Sequence, residues 1–144
     1  MISQTAEYAL RAIVFLAGAR GEPRTAQEIA RATRVRREYL SKVLQMLRRA
    51  ELLTARPGLG GGFTLTRAAE NLTVLDVVGA VDPLRRITRC PLGLVSHQSE
   101  LCPLHARLDS AMNDVEAAFR ETTIGELLAN RMRASKRCPF PAHV

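Results

Sequence analysis

The chain has no run of about eighteen apolar residues, the length a membrane-spanning helix needs, so none is expected to cross a bilayer. A secretory leader is not expected either. The apolar stretch A-I-V-F-L-A-G-A is short, and Glu7 and Arg11 interrupt the approach to it. The expected location is the cytoplasm, where the three cysteines read as thiols or ligands rather than structural disulfides. The glycine-rich stretch R-P-G-L-G-G-G-F lacks the G-K-S/T ending of a phosphate-binding loop and does not lead directly into a helix. No oxyanion-type glycine motif adjoins the Cys–His pairs, and no acid stands where it would orient an imidazole. An enzyme built on a cysteine nucleophile is therefore not expected. Low-complexity segments are absent, and the one internal repeat is a Cys-Pro-Leu step at Cys90 and Cys102.

What is present fits one domain with a real core, or a small domain with an appendage: 144 residues, 47% of them hydrophobic. The net charge is +7 and unevenly placed. Up to Arg67 there are twelve Lys or Arg against five Asp or Glu, an excess of seven; from Ala68 onward there are nine of each. An excess confined to one half points to a polyanionic partner, usually nucleic acid. The plainer alternative is a solvated arginine-rich surface, since 19 of the 21 basic residues are arginine.

Periodicity places the elements. Ala6, Leu10, Ile13, Val14 and Ala17 mark one stripe of a helix over 3–19, which Gly21–Pro23 breaks. Thr25 and Glu28 form a capping box that opens a short second helix. After a tight turn near Arg34, residues 36–53 read as a longer helix, with Leu40, Val43, Leu44 and Leu47 on its inner side. Two β-prone segments then flank an open glycine tip, a hairpin over about 52–66. Thr73 to Asp82 is a short apolar helix that should pack back on the first elements. Residues 85–101 show no period. A long helix runs from Cys102 or Pro103 to Glu121, with Pro103 suited to its first turn. Leu104, Leu108, Ala111, Met112, Val115, Ala118 and Phe119 stripe it, which calls for a partner helix. Thr123 and Glu126 cap a final short helix before a basic tail.

Two helices joined by a tight turn and followed by a glycine hairpin make a winged helix-turn-helix pattern. On that pattern Arg37, Glu38, Ser41 and Lys42 face base edges in a major groove, Arg36 faces nearby phosphates, and Arg34 belongs to the same DNA-contacting set. Tyr39 is expected to pack inward, with contact to a phosphate as the alternative. Thr25 and Gln27 can meet phosphates at the start of the second helix. Arg56 enters a minor groove, with Gly58, Gly60 and Gly61 letting the loop approach closely.

Residues 90–105 contain C-x6-H-x4-C-x2-H. Cys102 and His105 share a face at a helix start, where the dipole favours thiolate. With Cys90 and His97 they offer two sulfurs and two nitrogens, a set able to hold tetrahedral zinc or a two-iron cluster. Metal-free thiols, packed cysteines and a reversible disulfide are the plainer readings. Cys138 lies in the basic tail and reads as a free thiol, with a ligand or redox role as the alternative; His143 is the penultimate residue.

The opening I-S-Q-T-A-E-Y-A-L-R-A, the helix E-Y-L-S-K-V-L-Q-M-L, the wing R-P-G-L-G-G-G-F-T-L and the sequel L-T-V-L-D-V-V-G-A-V-D resemble the Rrf2 family of bacterial transcription regulators, over roughly residues 1–128. The resemblance implies a mainly α fold with a small β-hairpin: a winged helix-turn-helix domain over 1–82, a sensor loop over 83–101, a dimerisation helix over 102–121, and a short helix and tail over 122–144. It implies a homodimer on a palindromic DNA operator, with RNA polymerase or another protein as a further partner such a regulator can engage. Cluster-bearing members carry three cysteines before the dimer helix. Cys90 matches the first and Cys102 the last, while Val95, Ser96 and His97 occupy the region of the middle one. His105 falls where the family's iron–sulfur regulators have a histidine ligand. Glu7 falls where its nitric-oxide sensors take an aspartate from the partner subunit. A redox-sensing branch uses a glutamate there with only two cysteines, but its histidine ligand stands where this chain has Arg11, which leaves His97 or His105 for the fourth place. The expected cofactor is an iron–sulfur cluster of the 2Fe-2S type, responsive to redox state or nitric oxide. The alternatives are a zinc-stapled dimer, a metal-free thiol switch, and a regulator that senses through a partner protein.

Overall fold

A computed structural model describes residues 2–97, 99–134 and 140 of the chain, with backbone alone for 131–134. Helix α1 (Gln4–Gly18) starts where the Ser3 hydroxyl accepts the Ala6 N–H. It buries Ala6, Ala9, Ala12, Ile13, Phe15 and Leu16, a wider face than the expected single stripe. The reason is its central position: α2, α3, α4 and α6 all pack on it, and its alanines allow close approach.

Helix α2 (Ala26–Thr33) has the expected capping box between Thr25 and Glu28, whose carboxyl is held below its ordinary range by the Thr25 backbone N–H. It stops at Arg34, in the left-handed conformation with φ 56°. Helix α3 (Arg37–Arg49) buries Leu40, Val43, Leu44 and Leu47 as its period requires. It ends four residues sooner than the apolar pattern suggests. Glu51 turns to φ 58°, and Leu52 and Leu53 reach the core from the strand that follows.

Strands β1 (Leu53–Arg56) and β2 (Gly62–Leu65) pair antiparallel, Leu53 opposite Leu65 and Arg56 opposite Gly62. Arg24 adds a single bridge on the far side of Phe63, through N···O contacts of 3.1 and 2.8 Å. Gly62 is required there: at φ 143°, a Cβ on it would lie 2.5 Å from the Arg24 carbonyl oxygen. The wing is thus pinned to the chain that leads into α2.

Helix α4 (Val74–Val81) has a second capping box, Thr73 with Asp76, and buries Val74, Val77, Val78 and Val81 against α1 and α3. Helix α5 (Pro103–Glu121) has Cys102 as its N-cap and Pro103 in its first turn. Helix α6 (Ile124–Ala134) returns to the core. Its Ile124 is fully buried, and Thr73 and Thr123 form a bridge in which the Ile124 N–H meets the Leu72 carbonyl at 2.8 Å. None of the residues of α5 is buried: Leu104, Leu108 and Val115 stay exposed, and Phe119 only edges onto the core. Among the described residues, no helix is long and apolar enough to cross a membrane.

Candidate functional site

Two surfaces carry chemistry. The first lies on α3 and the wing. Arg36, Arg37, Glu38 and Lys42 are exposed in succession along α3, and Ser41, half-buried, donates its hydroxyl to the Arg37 carbonyl. Arg34 joins them because its left-handed turn leaves the side chain in solvent. Gln27 is exposed on α2, whereas both polar groups of Thr25 are engaged by Glu28, so Thr25 shapes the helix start. In the wing, Arg56 is exposed at the end of β1, and the tip turns through Gly58 and Gly60 at φ 87° and 72°. Gly61 packs so tightly that a Cβ would fall 2.2 Å from the Arg56 carbonyl oxygen. Leu59 stands wholly in solvent at the tip.

Tyr39 departs from the inward placement expected of it. Its ring meets Tyr8 edge-on with centroids 5.5 Å apart, its hydroxyl bonds Thr5, and it is 38% exposed. Gln4, Tyr8 and Tyr39 line one cleft with Arg34, Arg36, Glu38 and Lys42. The first two were not anticipated from sequence. Their signal is their spacing, four residues apart on the first turns of α1, on the side that α3 meets.

The second surface is at the start of α5. Residues 90–93 turn back on themselves, with the Gly93 N–H on the Cys90 carbonyl at 3.3 Å, and a 3-10 turn over Val95–His97 follows. These turns bring the His97 Nδ1 to 3.3 Å from the Cys90 sulfur. Across the loop, the Cys102 sulfur lies 4.0 Å from Cys90 and 3.1 Å from His105 Nδ1, which is 3.6 Å from the Cys90 sulfur. Ligand atoms of Cys90, Cys102 and His105 all fall within 4.8 Å of one another. Cys90 is buried and Cys102 half-buried. The His105 N–H in the first turn of α5 holds the Cys102 thiol below its ordinary range, aided by the Cys90 side chain, against a desolvation cost.

The donor set fits a metal. Tetrahedral bonds of about 2.0–2.3 Å to nitrogen and sulfur set donors about 3.3–3.8 Å apart, close to the separations of the three central atoms. A two-iron cluster needs its donors in two separated pairs; Cys90 with His97 and Cys102 with His105 supply the right donors, but Cys90 stands 3.6 Å from His105 and 4.0 Å from Cys102, a spacing that suits one ion and would have to widen for a cluster. Glu7 is elsewhere in this chain: it ion-pairs with Arg11, which also donates to the Thr33 carbonyl at 3.1 Å. Cys138 and His143 lie outside the described residues.

Residues 2–130 match the model of a family described as Rrf2, iron-dependent transcriptional regulator. Protein aau3 of Rhizobium meliloti is 30% identical over 132 residues, covering 90% of this chain and 86% of that protein. Two solved structures share the fold. The IscR of T. potens has a TM-score of 0.77 at 19% identity, covering 99% of this chain and 96% of its own. CymR, the global cysteine regulator of B. subtilis, has a TM-score of 0.72 at 22% identity, covering 90% of this chain and 97% of its own.

Proposed function

The chain belongs to the Rrf2 family of transcriptional regulators, and from that premise we propose that it acts as a homodimer on a palindromic operator, its DNA affinity set by a metal centre on Cys90, Cys102 and His105. The single observation that carries the sensing part is the convergence of those three side chains at the foot of a helix whose leucines are uncovered. Residues 1–82 form the reading head, 83–101 the sensor loop, 102–121 the dimer helix and 122–144 the closing helix and tail.

In the reading head, Arg37, Glu38, Ser41 and Lys42 face base edges, Arg34 and Arg36 hold phosphates, and Arg56 enters the flanking minor groove. Gln27 and the N–H groups at the start of α2 meet the backbone, and Gly58, Gly60 and Gly61 bring the wing close to it. In the sensor, Cys90 and Cys102 hold an iron–sulfur group of the two-iron type, its other two ligands being His105 and His97, or one of these histidines together with Glu7 of the partner subunit. Bound there, such a group supplies a redox- and nitric-oxide-reactive centre. The chain's part is to favour the thiolate form of Cys102 through the His105 N–H at the start of α5 and to shield Cys90. A zinc staple is the second reading, favoured by separations that suit one tetrahedral ion.

Protein purified without oxygen decides between them by its visible spectrum and by iron, sulfide and zinc analysis, with operator binding measured before and after metal removal. About two irons and two sulfides per chain, with DNA affinity that changes on their loss, is the expected result. Colourless protein with stoichiometric zinc makes the centre structural. Metal-free protein leaves the DNA reading in place and moves the sensing to a thiol switch or to a partner protein.

A further inference from the structure

Arg86 is bound to α5 more thoroughly than the exposed ion pairs elsewhere in this chain. Its Nε donates to Asp109 Oδ1 at 2.7 Å and its Nη2 to Asp109 Oδ2 at 2.6 Å, a two-point fork. Its Nη1 reaches Asn113 Oδ1 at 2.7 Å and comes within 3.8 Å of Glu116. The Ile87 backbone N–H adds a fourth hydrogen bond, to Asp109 Oδ1 at 2.8 Å. The guanidinium holds the Asp109 carboxyl well down, to about 2, and the Ile87 N–H contributes in the same direction. A lone surface ion pair is worth little, but a bidentate arginine–carboxylate pair with a backbone donor on the same carboxylate is the geometry that holds.

Its position in the chain gives this clamp a consequence. Arg86 lies four residues before Cys90, and Asp109 lies four residues after His105. One of those spans is a helical turn of α5. The clamp and the cysteine–histidine group therefore close a small ring: Arg86, the short span to Cys90, the Cys102 and His105 side chains, one turn of helix, and Asp109. Without the clamp, the nearest residue behind Cys90 that packs on the core is Leu84, six residues back.

We propose that Arg86 and Asp109 are positioning residues for the cysteine–histidine centre, shortening the tether that presents Cys90 to Cys102 and His105. They touch no ligand themselves. The inference rests on the reading of these side chains as a metal centre, and it holds whichever ion occupies the site. Local concentration falls roughly as the −3/2 power of tether length, so lengthening the tether from four residues to about six lowers the presentation of Cys90 about twofold.

The test uses the full-length, reduced chain carrying Cys138→Ser, so that the tail thiol plays no part, and zinc as the probe, its affinity measured by competition with a chromophoric chelator. Asp109→Ala, which removes the partner of both Arg86 and the Ile87 N–H, should weaken zinc binding by about twofold or more, Arg86→Gln should weaken it by a smaller amount, and the double variant should be no weaker than Asp109→Ala, because both changes act on the same ring. Arg120→Ala removes a neighbouring ion pair with Glu116 and should leave zinc affinity unchanged. Melting temperature, followed in parallel, reports any general loss of stability, which the Arg120→Ala control would share. Single variants that bind zinc as the parent does, additive losses in the double variant, or an equal loss in Arg120→Ala would each overturn the proposal. A parent protein that takes up no zinc overturns the metal-centre reading itself, a result distinct from the others.

Discussion

Truncating Leu108 to alanine should weaken self-association about 40-fold while leaving the monomer folded. Leu108 lies on α5 with 47% of its surface in water, between Leu104 at 62% and Val115 at 39%, on a helix with no buried residue. The substitution removes three carbons, each worth about 0.8 kcal/mol when carried from water into an apolar contact. About half of that gain is already realised within one chain, so the dimer stands to lose about 1.1 kcal/mol per copy. A twofold seam contains the residue twice, giving about 2.3 kcal/mol, and each 1.4 kcal/mol or so is a factor of ten in dissociation constant. Sedimentation equilibrium over a concentration series measures the constant directly. Leu59→Ala, at the wholly exposed wing tip, is the control and should leave it unchanged. A change below about threefold for Leu108→Ala would refute the placement of this face in the seam, since the area argument allows no value so small unless the residue stays in water.

Gly61→Ala should weaken operator binding at least about tenfold with little change in helix content, because its Cβ would collide with the Arg56 carbonyl and displace the wing, a strain of about 1–3 kcal/mol. Fluorescence anisotropy on a labelled duplex measures it, and wild-type affinity would show that the wing tip does not touch DNA. Arg36→Ala should reduce the slope of log affinity against log salt by about 0.9 for each phosphate the side chain no longer neutralises, with base preference retained; an unchanged slope places Arg36 off the backbone. Asp109 is held down to about 2 from an ordinary 3.8, so its contribution to stability is complete above the ordinary value and disappears as acid approaches the lowered one. The urea midpoint gap between the parent and Asp109→Asn should stay level from neutrality down to about pH 4 and close toward about pH 2; a gap that widens in acid contradicts the clamp. Glu7→Ala should leave the fold intact, since it removes only the surface pair with Arg11, yet change how DNA affinity responds to oxidants; an unaltered response removes Glu7 from the centre.

The fold was legible wherever its cause was local. The capping boxes at Thr25 and Thr123, the stripe of α3, the glycine wing and Pro103 at the head of α5 are written within a few residues of where they act. The end of α3 was not. Glycine or proline usually marks such a stop, but here Glu51 adopts the left-handed turn and the leucines after it continue into a strand without interrupting the apolar pattern. The broad burial of α1 was not legible either, since period shows one face while four helices cover several. At the candidate centre, spacing alone marked Cys102 and His105 as neighbours on a helix. That Cys90 reaches them depends on two tight turns and on an arginine bound 23 residues away, neither of which leaves a periodic trace. Tyr39 was misplaced for a related reason: its partners Thr5 and Tyr8 belong to another helix.

These particulars bear on how a small chemical event at the centre can reach DNA. An occupant shifts an equilibrium only by the difference in its affinity for two arrangements, so the centre must lie where two arrangements of the reading heads differ. The proposed centre has such a place in this chain. Helix α4 is packed into the head beside α1 and α3, and five residues after it ends, Arg86 is fixed to α5. The same α5 carries Cys102 and His105 at its start and the uncovered leucines along its length. Head, loop and dimer helix therefore meet within the span from Val81 to Asp109, and in the proposed sensor a change in the bonds around Cys90 acts on a connection between head and seam; a second connection, the Thr73–Thr123 bridge, stands at the far end of α5. A centre placed inside the packed core of the head could alter the stability of one copy. A centre at this junction can alter the spacing between two, which is the quantity a palindromic site reads.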